Sequence, residues 1–201
     1  MTGETQALLS ELNGVLRTVS RTRHIEILRQ ITDLFLSNAA AYTAEQRAIF
    51  DAVIKRLAQN VSSRDLIDLS GRLAAMDTAP ADTVAQLSAS DDINVSGPIL
   101  EKSNVLKDSD LVGIAKTKGQ NHLMAIANRQ RINAIVTDVL VDRGDNAVKQ
   151  KVLANEGAEI SEFGFACLIS AASKDKKLAE VVAKREDIPE ELQSFLEAAL
   201  A

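Results

Sequence analysis

Asp138 and Asp142 are the two residues of this chain best spaced for chemistry. They lie four apart in AIVTDVLVDRGD, so a helix would bring both carboxylates onto one face. Paired carboxylates do acid–base work when a cleft buries them. Their neighbours favour a structural assignment. Gly144 suits the residue after a helix, Asp145 suits an N-cap, and Arg143 is a last-turn cation of the kind the helix dipole favours. His122 stands beside Leu123 at the start of a helix, where it would cap, touch a neighbouring helix or line a groove. His24 is the only other histidine, and no cysteine partners either, so a zinc site would have to be filled by carboxylates. Two histidines in such settings support no Ser–His–Asp or Cys–His assembly. The glycines of GRL, SGP and EGA are not at phosphate-loop spacing. The expectation is therefore no catalytic residue, no cofactor and no metal. His122, Arg129, Asp138 and Arg143 remain as candidates for contact with a partner.

The composition narrows the class further. At 201 residues the chain suffices for one large domain or two small ones. Aromatic residues are only 3% and there is no Trp, so the core must be built from Leu, Ile, Val and Ala, which suits packed helices better than sheets. The single cysteine, Cys167, excludes an intramolecular disulfide and fits a reducing compartment. Its place in an apolar stripe reads as a buried small hydrophobe, not a reactive thiol. The opening MTGETQALLSEL carries acids where a secretory signal has bases, and no apolar run reaches about 18 residues. A cytoplasmic protein with no membrane contact is expected. A net charge of −5 argues against a general nucleic-acid binder. The Arg17, Arg21, Arg23 and Arg29 group reads as a solvated basic face.

Every apolar stripe has helical period. Residues 4–19 place Leu8, Leu9, Leu12, Val15, Leu16 and Val19 at spacings of three and four. Residues 23–36 repeat the pattern, and Ser37-Asn38 ends it. Thr43 and Gln46 match a capping box that opens a third helix, with Ile49, Phe50, Val53, Ile54 and Leu57 on its buried side. These helices form an expected N-terminal bundle, residues 1–61.

From residue 62 to 201 the texture changes to short helices that resemble one another. The unit at Asp145–Ser173 reads as helix, tight turn, helix. Its first stripe is Val148, Val152 and Leu153; its second is Phe163, Phe165, Leu168 and Ile169. The first apolar anchors of successive units, Leu66, Val95, Leu123, Val148 and Leu178, lie 29, 28, 25 and 30 residues apart. Ala127-Asn128, Ala154-Asn155 and Ala183-Lys184 share one position. Ile132, Ile160 and Ile188 follow, then Asn133, Ser161 and Pro189, all suited to a helix start. The second stripes then run Ile135–Val139–Leu140, Phe163–Leu168–Ile169 and Leu192–Phe195–Leu196. Such a unit cannot bury its apolar face alone, so neighbours must stack. The expected fold is all-α: an N-terminal three-helix bundle followed by a short HEAT-like α-solenoid of helix pairs, packed as one continuous unit.

The run SDLVGIAKTKGQNHLMAIANRQRINAIVTDVLVDRGDNAVKQKVLANEGAEISEFGF resembles the bacterial family called domain of unknown function 2336. Upstream, RHIEILRQITDLFL, AEQRAIFDAVIKRL and DDINVSGPIL are similar to the same family, so the resemblance spans roughly residues 20–196. It implies an all-helical fold with HEAT-like repeats and no assigned activity. The expected function is a non-enzymatic scaffold that binds a protein partner. The alternatives are a nucleic-acid-binding repeat protein, or a regulatory module of bacterial signalling working through residues 1–60. Nucleic acid is the less expected partner, since basics such as Lys149, Lys151, Lys174, Lys176 and Lys177 are scattered. The wide Leu8–Leu12–Val15–Val19 stripe further predicts a homodimer.

Overall fold

The computed structural model describes Gly14 and residues 20–200. Among these it contains twelve α-helices: α1 (Arg21–Asn38), α2 (Ala44–Ala58), α3 (Ser63–Leu73), α4 (Ala81–Ser88), α5 (Ile93–Lys102), α6 (Asp108–Thr117), α7 (Gln120–Ala127), α8 (Ala134–Arg143), α9 (Asn146–Leu153), α10 (Glu162–Ala172), α11 (Lys176–Val182) and α12 (Glu190–Leu200). No strand occurs among the described residues; the one β feature is an isolated parallel bridge between Ile132 and Ala158. The protein is all-α, as its periodicity predicts. The expected first helix, residues 4–19, lies outside the described residues apart from Gly14. The chain divides into two compact units: residues to Ile99 with Ser103–Leu106, and Leu100–Lys102 with Lys107 onward.

In the first unit α2 packs on α1 and on α4, and α4 packs on α3. The expected capping box opens α2: the Gln46 amide donates to Thr43 Oγ1 at 3.2 Å, and Thr43 N donates to Gln46 Oε1 at 2.9 Å. Phe35, Tyr42 and Phe50 cluster where α1 turns into α2, with Phe35–Phe50 and Tyr42–Phe50 centroids 5.4 and 4.8 Å apart. Two ion pairs tie α1 to α3, Arg72 to Asp33 and Arg29 to Asp65. The Ser70 hydroxyl, fully buried, donates to the Val95 carbonyl and links α3 to α5.

The second unit has two rows. Helices α6, α8, α10 and α12 pack successively on one another, as do α7, α9 and α11, and the rows pack together. Helices of seven to eleven residues are marginal in isolation. Burial between rows holds them, and each fully buried aliphatic side chain contributes about 1.5–3 kcal/mol. Val136, Leu140, Val148, Val152, Leu168 and Leu178 are all inaccessible to solvent. Four helix starts of this unit are capped by side chains: Asn133, Asp145, Ser161 and Asp175 accept from amides of their own first turns, the first three as the sequence predicts.

The caps correct the register of two repeats. The third residue past each cap is buried in five successive units: Asp65, Val95, His122, Val148 and Leu178. Two of the five are polar, so alignment on apolar anchors slides one place, to Leu66 and Leu123. Gly144 differs too. It caps α8 with φ −70° and ψ 146°, ordinary extended backbone. Glycine is needed there for room, because a Cβ would fall on the Leu140 carbonyl oxygen and 2.6 Å from Val148 Cγ1.

Candidate partner-binding face

The four candidate residues are engaged within the fold. His122 is 7% exposed and fills the site that Val148 and Leu178 fill in the next two repeats. Arg129 is 9% exposed, and its Nη1 donates to the Leu100 carbonyl at 2.8 Å. Burial pushes its guanidinium affinity for the proton down, with Asp108 opposing. Asp138 accepts a 2.6 Å bond from Ser161 Oγ, and that same oxygen accepts from Gly164 N at the start of α10. A carboxylate set behind an N-cap strengthens the cap and suits the positive end of the helix. Arg143 Nη1 donates to the Ala115 carbonyl and, at 3.5 Å, to the Lys118 carbonyl, at the C-terminal end of α6. Asp142 is exposed.

Arg129 belongs to a series. Ten residues after the caps Gly119, Asp145 and Asp175 stand Arg129, Asn155 and Arg185. Each donates to carbonyls one repeat earlier. Asn155 Nδ2 reaches Ala127 O at 3.2 Å and Arg129 O at 2.7 Å. Arg185 reaches Asn155 O at 3.1 Å and Ala158 O at 3.2 Å. These donors satisfy carbonyls that short helices and tight turns leave without partners. Arg185 also pairs with Asp187 and holds that carboxyl below its usual range.

Cys167, expected to be buried, is half-buried. Burial pushes its thiol up, and the negative charges of Asp142 and Asp138 act in the same direction. A thiol so placed is a weak nucleophile. Among the described residues no group of three or more His, Cys, Asp or Glu is placed to share a metal ion.

What the polar residues do not offer, the apolar ones do. The second stripes each contain one large side chain that the structure places outside: Ile135 on α8 is 58% exposed, Phe163 on α10 56% and Phe195 on α12 63%. The sequence places all three in apolar stripes beside residues that the structure buries. On the same helices Val136 and Leu140, Phe165 and Leu168, and Leu196 are buried. Three consecutive helices of one row thus each expose one large hydrophobe. Between α10 and α12 lies an apolar groove of about 520 Å³, within the usual range of binding clefts. Ala166, Ser170 and Ser173 line its α10 wall; Leu192, Phe195 and Ala199 line its α12 wall. Only the alignment of Ile135 with Phe163, each two residues past its cap, was available in the sequence as a signal of this face.

No helix among the described residues is long and apolar enough to cross a membrane. No curated protein and no solved structure matches this chain. A family described as an uncharacterised protein conserved in bacteria, DUF2336, matches residues 95–198, which hold all of α6–α11 and nearly all of α12. The upstream similarity read from residues 20–94 lies outside that match. By this match over half its length, the chain belongs to the DUF2336 family of uncharacterised bacterial proteins.

Proposed function

We propose that the chain is a non-enzymatic helical-repeat scaffold whose α8, α10 and α12 row binds a protein partner. One observation carries the reading: Ile135, Phe163 and Phe195 are each more than half exposed on successive helices of one row. A large apolar side chain alone on a surface is ordinary, whereas one on each of three successive helices, the last of them lining an apolar groove, is characteristic of an interaction site. The polar candidates support the same reading, since Arg129, Asp138 and Arg143 are occupied in holding repeats together. A cytoplasmic setting suits the lone half-buried cysteine.

The test is affinity capture from the native cytoplasm with two full-length baits, wild type and Ile135→Ser/Phe163→Ser/Phe195→Ser. Each replaced side chain is exposed, so circular dichroism of the variant should match wild type. The reading expects proteins that wild type retains and the variant loses. Identical capture by both baits refutes it. The homodimer expected from residues 4–19 is a separate matter: light scattering should report twice the chain mass, and removal of residues 1–20 should return the monomer.

A further inference from the structure

The groove between α10 and α12 is apolar along its walls, and the first turns of both helices carry carboxylates. Ala166, Ser170 and Ser173 follow each other at intervals of four and three, and Leu192, Phe195 and Ala199 at intervals of three and four. That spacing on two adjacent helices presents a seam for a third. The small residues of α10 let another backbone approach closely, and Phe195 stands as the opposing wall. Glu162 lies one turn before Ala166 on its ridge, Glu191 lies one turn before Phe195, and Glu190 adjoins Glu191. All three are exposed, and none pairs with another described residue. The cation nearest the lining in sequence is Lys174, beyond the end of α10.

Resting on the partner-binding reading above, we infer that this groove takes one amphipathic helix of a partner protein, with aliphatic side chains at i, i+4 and i+7 flanked by Lys and Arg. The two walls are helices of eleven residues, about 16 Å long, enough for three turns of a bound helix. The aliphatic ridge fills the seam. The flanking cations meet Glu162, Glu190 and Glu191, which would repel a helix flanked by acids. The same carboxylates suit the positive ends of α10 and α12, and they remain exposed for a flanking cation.

The experiment uses the full chain and two fluorescein-labelled synthetic helices that share one leucine stripe, flanked either by Lys/Arg or by Glu. Fluorescence anisotropy should show the basic helix binding at least about tenfold more tightly, the difference shrinking as salt rises. Phe195→Ala, at an exposed position, should weaken it about tenfold or more. Glu162→Lys/Glu190→Lys/Glu191→Lys should reverse the preference. If both helices bind equally and Phe195→Ala releases both, the charge selection is overturned while partner binding stands. If neither helix binds, the inference is overturned, and the capture experiment judges the broader reading on its own. If light scattering shows a dimer that Phe195→Glu dissociates, the groove belongs to a second copy and the inference is likewise overturned.

Discussion

Gly157→Ala is the substitution whose cost the structure defines best. Gly157 sits in the turn between α9 and α10, where its carbonyl accepts from Ile132 N at 3.0 Å. Glu159 N donates back to Ile132 O at 2.9 Å, closing the bridge between successive turns. A Cβ on Gly157 would fall on the Gln130 carbonyl oxygen and 3.1 Å from its carbonyl carbon. Those atoms are backbone, so the turns must part. Two backbone hydrogen bonds are worth about 1 kcal/mol each, and forced overpacking costs about 1–3 kcal/mol more. The alanine recovers about 0.4–1 kcal/mol by restricting the unfolded chain. The net loss is about 2–4 kcal/mol, or roughly ten degrees in melting temperature for a chain of this size. Asn155 and Ala158 lie in the same turn and hold the preceding and following repeats, so the damage should not stay local. Urea unfolding of the full chain, followed by far-ultraviolet circular dichroism, measures it. Gly113→Ala is the control. It lies within α6 with nothing near a Cβ, so the same exchange should stabilise by about 0.5–1 kcal/mol. A Gly157→Ala midpoint equal to or above wild type would refute the reasoning.

Three further outcomes are expected. Asp145→Ala removes the carboxylate that accepts from Val148 N at 2.9 Å and should cost about 0.5–2 kcal/mol in the same unfolding assay; an unchanged midpoint would deny the cap. Cys167, its thiol pushed up by burial and by Asp142 and Asp138, should alkylate more slowly near neutral pH in the folded chain than in urea. Equal rates would contradict that environment. Asp187, held low by Arg185, contributes stability that is fully present above the ordinary carboxylate range and lost as pH falls through its depressed folded value. Asp187→Asn should therefore flatten the acid side of the stability profile slightly, because the pair is half open to solvent. A profile unchanged on the acid side would show the pair to be without consequence.

Helix positions were legible because caps and stripes are local. Thr43 with Gln46, and Asn133, Asp145 and Ser161, were all readable from side-chain chemistry within one turn, and each caps a helix in the structure. The repeat was legible as well, since recurrence of a pattern every 25–30 residues needs no coordinates. Register was harder. Asp65 and His122 occupy buried sites that hold Val or Leu elsewhere, so a reading by hydrophobicity slipped at those two places alone.

By itself, then, the sequence determined an all-helical chain, most of its helix starts and its repeating texture, because backbone capping and amphipathic period act over a few residues. Only the tertiary structure decided which apolar residues are spare. Ile135 and Val136, or Phe163 and Phe165, are alike in chemistry and differ only in the direction each takes from a helix whose neighbours lie to one side. It also decided what Arg129, Asn155 and Arg185 do, because their partners are carbonyls one repeat away, and a carbonyl leaves no mark in the residue types. Gly157 is the same case: the atom that forbids a Cβ there belongs to the backbone of Gln130.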